Sequence, residues 1–207
     1  MCVRAQRVCL RICTVVAGPA ATPTPSELHR TMLQIRCSKG RRTAPIRGRC
    51  YRFVVQWGAI MASEFTEALS VPGTQEITFS MPGLSVGMAC CFDLRFPVFL
   101  ARYGPRVPSP VHCVCAPSAF LDITGKEHWE LLLRRTALDG QCFVVAPDIA
   151  FDAQDATPLH GRSMVVDPFG RIISQCDAEG DGIALADITA ERVEEVRAKL
   201  PLTLWEA

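Results

Sequence analysis

Gly83 to Gly104, GLSVGMACCFDLRFPVFLARYG, is the stretch whose reading decides the fold. Leu84, Val86 and Met88 alternate with smaller residues as a buried strand does, and two cysteines stand where that strand must end. Pro97 suits a first helical turn. Val98, Phe99, Leu100, Ala101 and Tyr103 supply its apolar side, and Gly104-Pro105 supplies the stop, with Gly104 expected in a left-handed cap. The order is strand, sharp turn, helix. A thiol at that junction, Cys91, projects into the crevice at the carboxyl end of a central strand. Open sheets hold ligands there, and nearby amide N–H groups stabilise both thiolate and oxyanion. Cys90 faces the other way and reads as core.

Downstream the pattern stays regular. Val111 to Ala116 reads as a buried strand, followed by a loop from Pro117 to Gly125. From His128 to Asp139, Trp129, Leu132, Leu133, Thr136 and Ala137 recur at helical spacing, so a helix opened by His128 and Glu130 ends at Gly140, before a strand from Cys142 to Ala146. Strand, helix, strand is a crossover unit. Ser163 to Val166 and Arg171 to Ser174 flank Asp167-Pro168-Phe169-Gly170, a hairpin signal, and Gly182 to Ala186 gives another short strand. Thr189 caps a last helix whose inward stripe is Val193, Val196 and Leu200, with Pro201 beyond it. The fold class is α/β.

The 207 residues suffice for one sizeable core, and 49% hydrophobic content with net charge +1 describes an ordinary globular chain. The charge is unevenly spread. Met1 to Arg52 holds eleven Arg or Lys against the single acid Glu27, which leaves −9 for the remainder. Residues 1–50 are therefore a basic, poorly patterned segment and residues 51–207 a separate unit. Two readings of the first segment stand: a mitochondrial targeting segment, with MCVRAQRVCLRICTVVAG as a basic amphipathic helix, or a non-native extension. Nothing there interleaves aromatics with the basic residues, so a solvated tail is preferred to nucleic-acid binding. No apolar run is long enough to span a bilayer.

Eleven cysteines at irregular spacing form no disulfide framework and point to a reducing, cytoplasmic setting, or a mitochondrial one if the basic segment is a targeting signal. His112, Cys113 and Cys115 split between the faces of a strand without a second ligand pair, so no metal site is expected. Nothing resembles the C-G-S-C-W of papain-like proteases.

Cys91-Phe92-Asp93-Leu94-Arg95-Phe96-Pro97 resembles the C-Y-D-x-R-F-P-E signature of the nitrilase superfamily, the carbon–nitrogen hydrolases. The similarity continues through Pro117-Ser118-Ala119-Phe120, Thr124-Gly125, His128 to Leu132, Gln141 to Ala146 and Ser163 to Gly170. The resemblance implies an α-β-β-α sandwich with its N-terminal strands missing or replaced, so that residues 51–207 form a partial hydrolase domain. It implies hydrolysis of small ω-amides through a thioester on Cys91, with the Phe92 N–H in the oxyanion site, Glu67 as accessory acid and no cofactor. It also implies a homodimer formed through the helix after the cysteine and the C-terminal segment.

Departures from the pattern matter to the chemistry. Only a few per cent of a free thiol with pKa about 8.5 is thiolate at neutral pH, and amide cleavage also needs an oxyanion donor, a proton for the amine and an activated water. Phe53 stands where relatives carry a lysine. The family's first glutamate has no counterpart in residues 1–50, and His160 and Arg162 fall where relatives read Y-G-H-S. Two readings follow: a thiol amidohydrolase impaired by loss of base and lysine, or an inactive relative serving as an association module.

Overall fold

A computed structural model describes residues 9–14, 31–37, 75–81, 83–151, 158–180 and 182–204, the first two stretches as backbone. Among the described residues, nine strands build two sheets. β1 (Cys9–Thr14), β2 (Thr31–Cys37) and β9 (Gly182–Ile188) form an antiparallel sheet in the order β1-β2-β9. The other sheet runs β3 (Ile77–Met81), β4 (Leu84–Met88), β5 (Cys113–Cys115), β6 (Phe143–Ala146), β7 (Met164–Val166) and β8 (Ile172–Gln175), each beside the next. β4, β5 and β6 are parallel, and the flanking pairs are antiparallel.

The parallel core follows from the crossovers. After β4 come a 3-10 turn, Cys91–Arg95, and a short helix, α1 (Pro97–Leu100), that tightens into a further 3-10 turn through Tyr103. Between β5 and β6 lies α2 (Asp122–Gly140), 19 residues long. Trp129, Leu133, Thr136 and Ala137 are buried on it at helical spacing and cover β6 and β7 through Val144, Ala146, Met164 and Val166. On the opposite face Val86, Cys113, Cys115, Phe143, Val145 and Val165 pack with Ile188 of β9 and Val193 of α3 (Ala190–Lys199). Helix, large sheet and small sheet are thus stacked as layers, as the α/β expectation requires. Ile183 and Leu185 remain half exposed on the outer side of β9.

Several elements differ from the expectations. Within the stretch expected as an amphipathic helix, Cys9–Thr14 is instead a strand, paired antiparallel with β2. α2 begins at Asp122, so Thr124-Gly125 lies inside the helix and His128 and Glu130 do not open it. It ends at Gly140 as expected, and the left-handed cap that follows is Gln141 (φ 43°), whose side-chain amide donates to the Leu200 carbonyl. Gly104 is extended, with φ −82° and ψ −178°, and not left-handed. Thr189 caps α3 by accepting from the Arg192 N–H at 3.2 Å, and Val193 and Val196 face inward as expected. Leu200 does not; it is the residue just beyond the helix and is 47% exposed. In the 167–170 turn, the Gly170 N–H donates to the Asp167 carbonyl at 2.9 Å and Gly170 takes φ +77°.

Gly125 shows why a glycine survives within a helix. A Cβ there would lie 2.2 Å from His160 Cγ. Alanine in a helix interior is normally worth about 1 kcal/mol over glycine. Gly125→Ala should reverse that sign and destabilise by about 1–3 kcal/mol as His160 is displaced. Urea unfolding reads the change directly, and a variant more stable than the parent would contradict the packing described.

Candidate active site

Cys91 sits where the sequence places it, one turn beyond the carboxyl end of β4. The parallel ladder runs on past the strand ends and fixes it there. Ala89 N–H donates to the Cys115 carbonyl and Cys91 N–H to the Pro117 carbonyl, each at 3.0 Å. One strand over, Ala116 N–H reaches the Val145 carbonyl and Ser118 N–H the Pro147 carbonyl, each at 2.8 Å. Four consecutive backbone bonds therefore align the segments that follow β4, β5 and β6.

Cys91 itself has φ +41°. A residue with a Cβ in that region carries strain of about 1–3 kcal/mol, which persists only where the surroundings enforce it and concentrates at functional sites. The turn is pinned from within as well. Cys90 N–H donates to Asp93 Oδ2 at 2.8 Å, and Asp93 N–H donates back to the Cys90 carbonyl at 2.8 Å. Asp93 thus orients the turn by hydrogen bonds. Cys91 is half-buried and packs on the α2-side core, whereas Cys90, also half-buried, lies close enough to Cys115 to help raise that thiol's pKa. Burial is the larger cause for Cys115, whose pKa is pushed up to about 12.

Arg95 brings a cation to the same turn. Its guanidinium lies over the rings of Phe92 at 5.6 Å and Phe120 at 5.1 Å, and its Nη1 is 3.2 Å from His128 Nδ1. Phe92 and Phe96 pack ring to ring at 5.6 Å and are 38% and 50% exposed, which leaves an apolar rim beside the cation. His160 is buried, its Nδ1 3.5 Å from Asp122 Oδ1; burial lowers its pKa more than the carboxylate raises it. The Arg162 carbonyl accepts from Trp129 Nε1 at 3.0 Å. Glu67 and Phe53 lie outside the described residues. Among the described residues there is no group of three or more His, Cys, Asp or Glu able to hold a metal, and no helix is long and apolar enough to cross a membrane.

Sequence reasoning passed over Asp148. It follows β6 at the end of the sheet that carries Cys91, is fully buried, and accepts from Phe120 N–H at 2.9 Å. The available signal was an acid directly after the apolar run Cys142 to Pro147. Burial raises its pKa to about 8, against backbone N–H groups that pull it down. A group whose folded pKa lies above its unfolded value stabilises the fold fully below the unfolded value and loses that contribution as pH rises through the folded one. Asparagine does not titrate. The stability of the parent relative to Asp148→Asn should therefore fall between about pH 4 and about pH 8, by at most about 1.4 kcal/mol per pH unit, and then level off. Denaturant unfolding of both chains at several pH values measures it; a difference that grows with pH would contradict the assignment.

Residues 49–198 match the family model described as carbon-nitrogen hydrolase. This chain belongs to the carbon–nitrogen hydrolase family. Among curated proteins, the hydrolase chain is 38% identical over 133 residues to mouse (Mus musculus) deaminated glutathione amidase, covering 63% of this chain and 39% of that one. It is 36% identical over 138 residues to the omega-amidase NIT3 of Saccharomyces cerevisiae, covering 67% and 46%. The crystal structure of S. cerevisiae Nit3, a member of branch 10 of the nitrilase superfamily, superposes with a TM-score of 0.59 at 27% identity, covering 86% of this chain and 60% of that one. The chain spans between two fifths and half of the length of these curated relatives.

Proposed function

We propose that this carbon–nitrogen hydrolase cleaves small ω-amides, with Cys91 adding to the amide carbon and ammonia leaving as a thioester forms. Water then releases the acid and restores the thiol. The observation that carries the reading is the strained φ of +41° at a cysteine held beyond the carboxyl end of a central parallel strand. The N–H groups that open a 3-10 turn have no partner within it, and Phe92 N–H is the donor assigned to the oxyanion. Arg95 supplies a positive charge on the same turn, which suits the acidic end of an ω-amide substrate. Two relatives bear the names deaminated glutathione amidase and omega-amidase, and the substrate class is taken from them. Glu67 is assigned the accessory acid's part. Incubation with a panel of ω-amides should release ammonia, fastest from those carrying a carboxylate; no ammonia from any of them would refute the reading.

The competing reading, an inactive relative acting as an association module, is favoured by Phe53 standing where relatives carry lysine. Either way a homodimer is proposed. Val98 on α1 is 81% exposed, and beside it a cleft of about 370 Å³ is lined by Pro97, Leu100, Ala101, Arg106, Thr136 and Leu202. Sedimentation should give a dimer for the parent chain and a monomer for Val98→Asp. A parent that sediments as a monomer at micromolar concentration ends the proposal.

A further inference from the structure

The end of the large sheet that carries Cys91 contains a buried acid that the thioester chemistry leaves unused. Removing a carboxyl group from water is costly, and Asp148 is 0% exposed. What it holds there is therefore informative. Its Oδ1 accepts from Phe120 N–H at 2.9 Å, and the N–H groups of Ile149 and Gly161 also bond toward its carboxyl group. Its own N–H donates to Ser163 Oγ at 2.9 Å, and its backbone bridges Ser118. The Phe120 carbonyl in turn accepts from His160 N–H at 2.8 Å. One side chain thus ties together the loops that follow β5 and β6 and the loop that precedes β7.

Two contacts continue from that knot to the cysteine turn. The Pro117 carbonyl, three residues before Phe120, accepts from Cys91 N–H at 3.0 Å. The Phe120 ring also lies 5.1 Å from the Arg95 guanidinium of the cysteine turn.

We propose that Asp148 is a positioning residue for Cys91: by fixing the segment from Pro117 to Phe120 it holds the Pro117 carbonyl that keeps the cysteine in its strained conformation. The proposal rests on Cys91 being the nucleophile. A purely local role would satisfy Phe120, Ile149 and Gly161 and go no further. The two roles differ in how far a disturbance at Asp148 spreads.

Amide hydrogen exchange resolved by residue separates them. In the parent chain, Cys91, Phe120 and Gly161 should open together with one free energy, lower than that of Val144 and Val145 in β6. In Asp148→Ala, exchange at Phe120 and Cys91 should both accelerate by about 30-fold, as expected for loss of a buried hydrogen bond, while Val144 and Val145 change by less than about threefold. Asp148→Asn keeps an oxygen for Phe120 N–H and should restore Cys91 to within about threefold of the parent. Alkylation of Cys91 by iodoacetamide should shift with Ala and return with Asn. The proposal is overturned if Phe120 accelerates while Cys91 does not, or if β6 accelerates equally. Should Asp148→Ala not fold, separate openings of Cys91 and Phe120 in the parent overturn it. Exchange needs no turnover, so a chain inert toward every amide would refute the catalytic reading while leaving this coupling measurable.

Discussion

Replacing Cys91 with alanine is expected to lower ammonia release from an ω-amide by at least about a thousandfold, because the variant has no atom with which to form the thioester. Cys90→Ala, one residue away, should stay within about threefold of the parent, since its thiol lies toward Cys115 and takes no part in the attack. The paired comparison matters more than either number. Adjacent cysteines of similar exposure share nearly the same chemistry, so a large difference between them reports the conformation of position 91 and its bond to Pro117. Equal loss in both variants would mean that the turn was damaged; equal retention would remove the nucleophile assignment. Initial rates by coupled ammonia detection, with thermal unfolding as a check on folding, are sufficient.

The largest effect on stability is expected at Trp129. Its ring is fully buried, lies 5.1 Å from that of Phe120, and donates Nε1–H to the Arg162 carbonyl at 3.0 Å. Trp129→Ala empties the centre of the α2-side core and leaves that carbonyl without its donor, a loss of about 3–5 kcal/mol. Set against the 5–15 kcal/mol that holds typical domains, roughly, this is enough to unfold a marginal chain near body temperature. Trp129→Phe refills much of the volume but not the hydrogen bond, so it should cost about half as much or less. Denaturant midpoints measure both. A Phe variant as damaged as the Ala variant would place the energy in the Arg162 bond and not in the packing.

Local signals carried much of this fold. Alternation from Leu84 to Met88, Pro97 in a first turn, Thr189 as a cap and the 167–170 turn each depend on neighbours in sequence, and each formed as read. The misreadings share a different cause: the deciding partner lies far along the chain. Gly125 looks like a breaker until His160 is seen against it, 35 positions later. α2 ends at Gly140 as read, but the left-handed residue beyond it is Gln141, whose side chain reaches Leu200. Cys9–Thr14 forms a strand because β2 offers it an edge, although its basic spacing also suits a helix. At the site, Cys91 was legible because its own neighbours in sequence, Cys91 to Pro97, carry the signature. Asp148 was not, because its burial is created by loops after β5 and before β7.

Acid-quenched mass spectrometry during incubation with a glutamine-like α-keto amide tests the central claim most directly. The expected result is a chain heavier by the substrate's acyl group, with the added mass on the peptide containing Cys91 and absent from Cys91→Ala. An unmodified chain under conditions where ammonia is released, or an acyl group found on another cysteine, would contradict it.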